Sequence, residues 1–129
     1  MLSLSPAVRI YLASEPADMR KSIDGLGAIV RNQLGEDIYS GHLFVFVSRR
    51  GDRVKILTWS RGGFVVYYKR LEKGRFRMPS IPSDAKQVEI DGTALAMLLD
   101  GIDTRLVRRP RMWTPHSTAR KGIDRAAAI

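Results

Sequence analysis

Arginine and lysine are the side chains in this sequence whose number and spacing could do chemistry. Ten of them lie between Gly41 and Met78: Arg49, Arg50, Arg53, Lys55, Arg61, Lys69, Arg70, Lys73, Arg75 and Arg77. Only two acids, Asp52 and Glu72, stand against them there. A guanidinium is a planar fork of donors that fits phosphate oxygens, and Arg49, Arg50 and Arg53 cluster around one loop, where they could grip consecutive phosphates. The same stretch holds seven of the ten aromatic residues. A positive surface interleaved with aromatic side chains seeks a polyanion, and the usual polyanion in a cell is nucleic acid. Most of these aromatics fall on strands and are expected to pack. Trp59, Tyr67 and Tyr68 are the candidates for stacking on bases or touching a protein.

Other chemistries find less support. Metal-assisted phosphoryl transfer needs convergent carboxylates. Asp52 sits among arginines, Glu72 beside Lys73, and Asp18 and Asp100 read as helix-end residues. The two histidines, His42 and His116, have neither HxxxH spacing nor a cysteine partner. The chain has no cysteine, which removes disulfides, thiolate catalysis and Cys-based zinc sites. Ser22 and Ser60 lack a nucleophile context. Gly62-Gly63 and Gly25-Leu26-Gly27 are too short to cradle a phosphate. The expectation is a non-catalytic protein with no cofactor and no metal.

The net charge of +9 over 129 residues is unevenly placed. Residues 1–40 are near neutral, residues 41–78 strongly basic, residues 79–103 acidic and residues 104–129 basic again. That imbalance exceeds what solubility needs. The competing reading is that the central arginines pair with the acids of 79–103. No apolar run approaches the length of a membrane span, and the first residues show no secretory pattern. A cytoplasmic protein is expected, nucleoid-associated when bound to DNA.

These side chains need elements to position them. Ala7–Ala13 alternates Val8, Ile10 and Leu12 with Arg9 and Tyr11, the period of a half-buried strand. Asp18 is placed to cap a helix from Met19 to about Leu34, with Met19, Ile23, Leu26, Val30 and Leu34 on one stripe and Gly35 as the stop. Gly25 and Gly27 within it suggest close approach of a sheet or another backbone. A meander follows. Leu43–Val47 is apolar on both faces, as in a central strand. Val54–Trp59 and Phe64–Leu71 alternate, and Arg75–Met78 is expected to close the set before Pro79 and Pro82. The loop at Ser48–Asp52 and the turn at Glu72–Gly74 are expected at one end, as a single positive rim. Gln87–Ile90 reads as a short edge strand, and Asp91 opens a second helix, roughly Thr93–Asp100, with Gly101 as its stop. The expected fold is α+β: an antiparallel meander of about five strands with one helix before it and one after. Residues 1–115 are expected to form a single domain and 116–129 a basic, mobile tail. Arg105, Arg108, Arg109 and Arg111, with Trp113, read as a basic arm.

Three pieces carry a family resemblance: Asp18-Met19-Arg20-Lys21 followed by Asp24-Gly25-Leu26, then Ser40 through Pro79, and finally Leu98-Leu99-Asp100-Gly101-Ile102-Asp103. The chain resembles the TnpB-type accessory protein, from the second open reading frame, of the IS-sixty-six family of bacterial insertion sequences. Ser60 and Met78 depart from the residue types common there. The resemblance implies a helper in transposition that works beside a separate transposase carrying the catalytic acids. Its expected partners are duplex DNA at the element ends and that transposase. The expected contacts are Arg49, Arg50, Arg53, Lys55, Arg61, Lys69, Arg70, Lys73, Arg75, Arg77, Arg108, Arg109 and Arg111. A protein–protein adaptor without direct DNA contact is the alternative.

Overall fold

The computed structural model of the protein describes residues 7–101. Its centre is β2 (Leu43–Val47), a strand of five residues all buried. It lies third in a five-stranded sheet of order β4-β3-β2-β1-β5. The flanking strands are β1 (Ile10–Ala13), β3 (Arg53–Ser60), β4 (Gly63–Arg70) and β5 (Gln87–Ile90). Neighbours pair antiparallel, as expected, except that β1 runs parallel to β2, with Ile10 beside Leu43. A parallel neighbour needs a crossover. The chain makes it through α1 (Ile23–Ile29), which continues as a π-helical stretch over Val30–Leu34.

The apolar run of β2 follows from cover on both sides. Phe44 and Phe46 join Ala13, Leu26, Val30, Ile38 and Leu57 in a core beneath α1. Leu43, Val45 and Val47 join Ile10, Leu12, Val54, Ile56 and Phe76 in a second core, closed by Leu95 and Leu98 of α2 (Gly92–Leu99). Asp91 caps α2 by accepting the Ala94 N–H at 2.7 Å. The one-helix-before, one-helix-after arrangement thus becomes one helix on each face of the sheet.

Three local expectations are corrected. α1 begins at Ile23, not Met19, because the Asp18 carboxylate accepts from the Arg20 N–H at 2.9 Å and bonds its guanidinium, so residues 18–21 form a turn. Short polar side chains compete with helix in this way. Gly25 faces no sheet: a Cβ there would lie 2.9 Å from the Lys21 Cβ, and at Gly27 the nearest atom is Ile38 Cγ2 at 4.0 Å. Arg75–Met78 is not a strand. Gly74 turns the chain at φ 79°, and the Phe76 N–H donates to the Gly51 carbonyl at 2.7 Å. The alternation there survives without a ladder. Phe76 is buried, and Arg75 and Arg77 are exposed. The stops at Gly35 and Gly101 are as expected, both with positive φ.

Phe76 is therefore the anchor that holds the basic 71–78 segment on the sheet. Phe76→Ala is expected to lower unfolding free energy by about 3–5 kcal/mol in urea titration. A loss below about 1 kcal/mol would mean that the segment is held by something else.

Candidate nucleic-acid interface

Because β2, β3 and β4 run up, down and up, the β2–β3 loop and the end of β4 lie at the same end of the sheet. The Leu71 N–H donates to the Asp52 carbonyl at 2.8 Å, which joins the two segments directly. The parallel β1 brings its own C-terminal end to that side too, followed by residues 14–22. Three connections therefore meet at one rim.

The β2–β3 loop is rigidly built. The Ser48 N–H donates to the Arg53 carbonyl at 2.9 Å, and the Gly51 N–H to the Ser48 carbonyl at 2.9 Å. The Ser48 hydroxyl accepts from the Arg53 N–H at 3.1 Å and donates to Asp52 Oδ1 at 3.2 Å. Gly51 takes φ 77°, a conformation that needs no Cβ. Arg49 and Arg50 are left exposed at the tip. An open cleft lies on each side of this tip. One, of about 580 Å³, runs between Pro16–Arg20 and Ser48–Arg53. The other, of about 340 Å³, runs between the loop and Arg75–Ile81. Arg49 and Arg50 line both.

Three acids at the rim are engaged locally, and a fourth, Glu15, lines the second cleft with Arg49 and Arg50. Asp18 pairs with Arg20 at 2.8 Å, Glu72 with Arg70 at 3.3 Å, and Asp52 braces Ser48. Two acids of 79–103 are engaged away from these arginines. Glu89 lies on β5, at the far edge of the sheet, 3.8 Å from Arg9, and Asp91 caps α2. Among the described residues, no ion pair joins Arg49, Arg50, Arg53, Lys73, Arg75 or Arg77 to any carboxylate. Arg53 stands directly opposite Arg70 across the β3–β4 ladder. Facing cations destabilise a sheet, and of this pair only Arg70 has a carboxylate partner, the exposed Glu72.

Not every cation singled out in the sequence reaches the rim. Lys55 Nζ donates to the Lys21 carbonyl at 2.8 Å and lies 5.3 Å from the Tyr68 ring centre. Lys69 Nζ donates to the Leu99 carbonyl at 2.6 Å, closing the end of α2. Arg61 occupies the β3–β4 turn, at the opposite end. Arg108, Arg109 and Arg111 lie outside the described residues, as do Trp113, His116 and the tail. Arg20, not among the expected contacts, lines the cleft beside the β2–β3 loop. Its position follows from the parallel β1–β2 pairing, which local spacing does not encode.

The aromatic candidates divide. Trp59 packs with Tyr39 and Phe64 at ring separations of 5.1 and 4.9 Å, away from the rim. Tyr67 and Tyr68 are exposed on opposite faces of β4. His42 accepts the Arg9 N–H at Nδ1, 3.0 Å away, which ties the β2 entry to β1. Among the described residues, no three His, Cys, Asp or Glu side chains converge, and no helix is long and apolar enough to cross a membrane.

The family model described as IS66 Orf2 like protein matches residues 8–109. The chain belongs to this IS66 insertion-sequence family. The match covers every strand, both helices and the whole rim. Two relatives come from Sinorhizobium fredii. Uncharacterized protein y4jC is 34% identical over 111 residues, 85% of this chain and 93% of its own length. Uncharacterized protein y4hO is 38% identical over 106 residues, 81% of this chain and 90% of its own length. No solved structure matches. Membership in the IS66 family connects the protein with transposition.

The hydrogen bonds from the Arg20 guanidinium and N–H hold the Asp18 carboxyl far below the ordinary carboxylate range. With a depressed folded value, the pair contributes above the unfolded pKa of about 3.9 and is lost as pH falls through the folded value. The side chains are exposed, so the contribution is small. An NMR titration of the Asp18 carboxyl carbon is expected to show no inflection near the ordinary value. A midpoint there would contradict the pair.

Proposed function

We propose that this protein is a non-catalytic helper in the transposition of its insertion sequence. It binds duplex DNA of the element through the basic rim and assists the separate transposase, in the cytoplasm where that DNA lies. The observation that carries this reading is the group of cations without an ion pair at one end of the sheet: exposed Arg49, Arg50, Lys73, Arg75 and Arg77, and half-buried Arg53. Arg70 adds to it, and Asp18, Asp52, Glu72 and Glu89 are held in contacts of their own. Arg53 facing Arg70, offset only by the exposed Glu72, is a cost to the free fold that a polyanion relieves. Family membership supports the connection to transposition.

The rim suits the phosphate backbone more than base edges. Its cations come from three separate connections, and a spread of charges positions a protein on a duplex without reading sequence. Arg20 lines the same cleft as Arg49 and Arg50 and extends the contact. Lys55 and Lys69 act in this reading as supports, because their ammonium groups already hold backbone carbonyls.

Neutralising about six to eight phosphates gives a log–log salt slope of roughly −5 to −7. Binding to a labelled duplex across a salt series checks it. Arg49→Ala with Arg50→Ala is expected to weaken binding and flatten the slope by about 2. Thermal unfolding should be unchanged, because exposed charges contribute little to stability. Unchanged affinity in the double variant would remove the loop from the interface. Absence of duplex binding at low salt, together with co-purification with the transposase free of DNA, would favour the adaptor reading.

A further inference from the structure

The two edges of the sheet are built differently. β5 has four residues, carries Glu89, follows Lys86 and comes after a segment containing Pro79 and Pro82. Short length, charge and nearby proline all discourage a further strand. β4 is longer, and its charges, Lys69 and Arg70, come only at its end. It runs for eight residues, and Gly63-Phe64-Val65-Val66-Tyr67-Tyr68 precede its first charge. Its register with β3 is continuous from Gly63 to Arg70, with no bulge. Val65, Tyr67 and Tyr68 are 44%, 39% and 47% exposed.

The hydrogen-bonding sense of this edge follows from its ladder. Ser60 and Gly63 close a two-residue turn, and the Leu71 N–H reaches the Asp52 carbonyl. The odd-numbered residues of β4 therefore bond to β3. The N–H and C=O groups of Phe64, Val66, Tyr68 and Arg70 point outward, and no other described strand lies beside them.

We propose that β4 pairs antiparallel with β4 of a second copy of this chain, joining two sheets across a two-fold axis at Val66. The charge pattern selects this occupant. With Val66 opposite the partner's Val66, Phe64 faces the partner's Tyr68 and Val65 faces the partner's Tyr67. Side chains on one face meet side chains on the same face. Phe64, Val66 and Tyr68 meet outward-pointing groups of the partner, and each such pair exchanges two hydrogen bonds. Aromatic and β-branched pairs of this kind stabilise a sheet. Lys69 and Arg70 fall opposite the partner's Gly63 and Gly62, so no cation faces a cation within the strand. A parallel copy would instead set Lys69 on Lys69 and Arg70 on Arg70. The two-fold contact closes at two copies, leaving β5 as the outer edge of each half. The pairing stands whether or not the rim binds DNA.

Light scattering on the nuclease-treated full chain tests it. The wild type is expected at twice the 14.5 kDa of the chain. Val65→Lys with Tyr67→Lys places ammonium groups opposite each other twice and is expected to give the monomer. Val65→Lys with Tyr67→Glu places opposite charges there and is expected to restore the dimer. Both variants alter exposed positions and are expected to keep the wild-type far-UV circular dichroism. A monomeric wild type overturns the proposal. So does a dimer indifferent to the double-lysine change, and so does a Lys/Glu variant no more dimeric than the Lys/Lys one.

Discussion

The burial of β2 on both faces is the constraint from which the rest follows. A strand with Leu43, Val45 and Val47 on one side and Phe44 and Phe46 on the other must be covered twice. The chain supplies α1 to one face and α2 to the other. Covering the first face takes a crossover, and the crossover makes β1 parallel to β2. That places residues 14–22 beside the β2–β3 loop. The basic rim, with a cleft on each side of its central loop, is a consequence of how the core is closed.

The rim also shows two energetic demands in opposition. Phe76 and the Ser48–Asp52 bonds hold the segments that carry the arginines in place. The arginines repel one another, most directly at Arg53 and Arg70. A fold optimised only for stability has no reason to gather cations there, since surface pairs with Glu89, Asp84 or Asp100 would relieve them. Arg9 has made such a pairing at the other edge, with Glu89. Charge is thus segregated across the sheet, with the basic groups toward β2–β4 and an acidic residue on β5.

Much of this was legible in the sequence, for identifiable reasons. β2 announced itself because a strand buried on both faces cannot carry polar residues. The shared end of the two basic connections followed from counting strand reversals. Gly35, Asp91 and Gly101 marked helix ends by local chemistry. Other features depended on partners distant in the chain. Asp18 had the type of a helix cap, but Arg20 captured it first. Arg75–Met78 had strand alternation, but Gly74 and a lone bond to Gly51 left it without a ladder. Lys55 and Lys69 had the charge of phosphate contacts, but their long stems carried the ammonium groups to carbonyls of Lys21 and Leu99. The parallel pairing of β1, and with it the place of Arg20, is set by the fold as a whole.

The central claim is that one end of the sheet meets the polyanion. Amide chemical-shift mapping of the full chain with a duplex DNA tests it most directly. Perturbations are expected to concentrate in residues 14–22, 48–53 and 70–77 and to leave β5 and the Arg61 turn nearly unmoved. Perturbations centred on β5 or on that turn, or spread evenly over the sheet, would contradict the account.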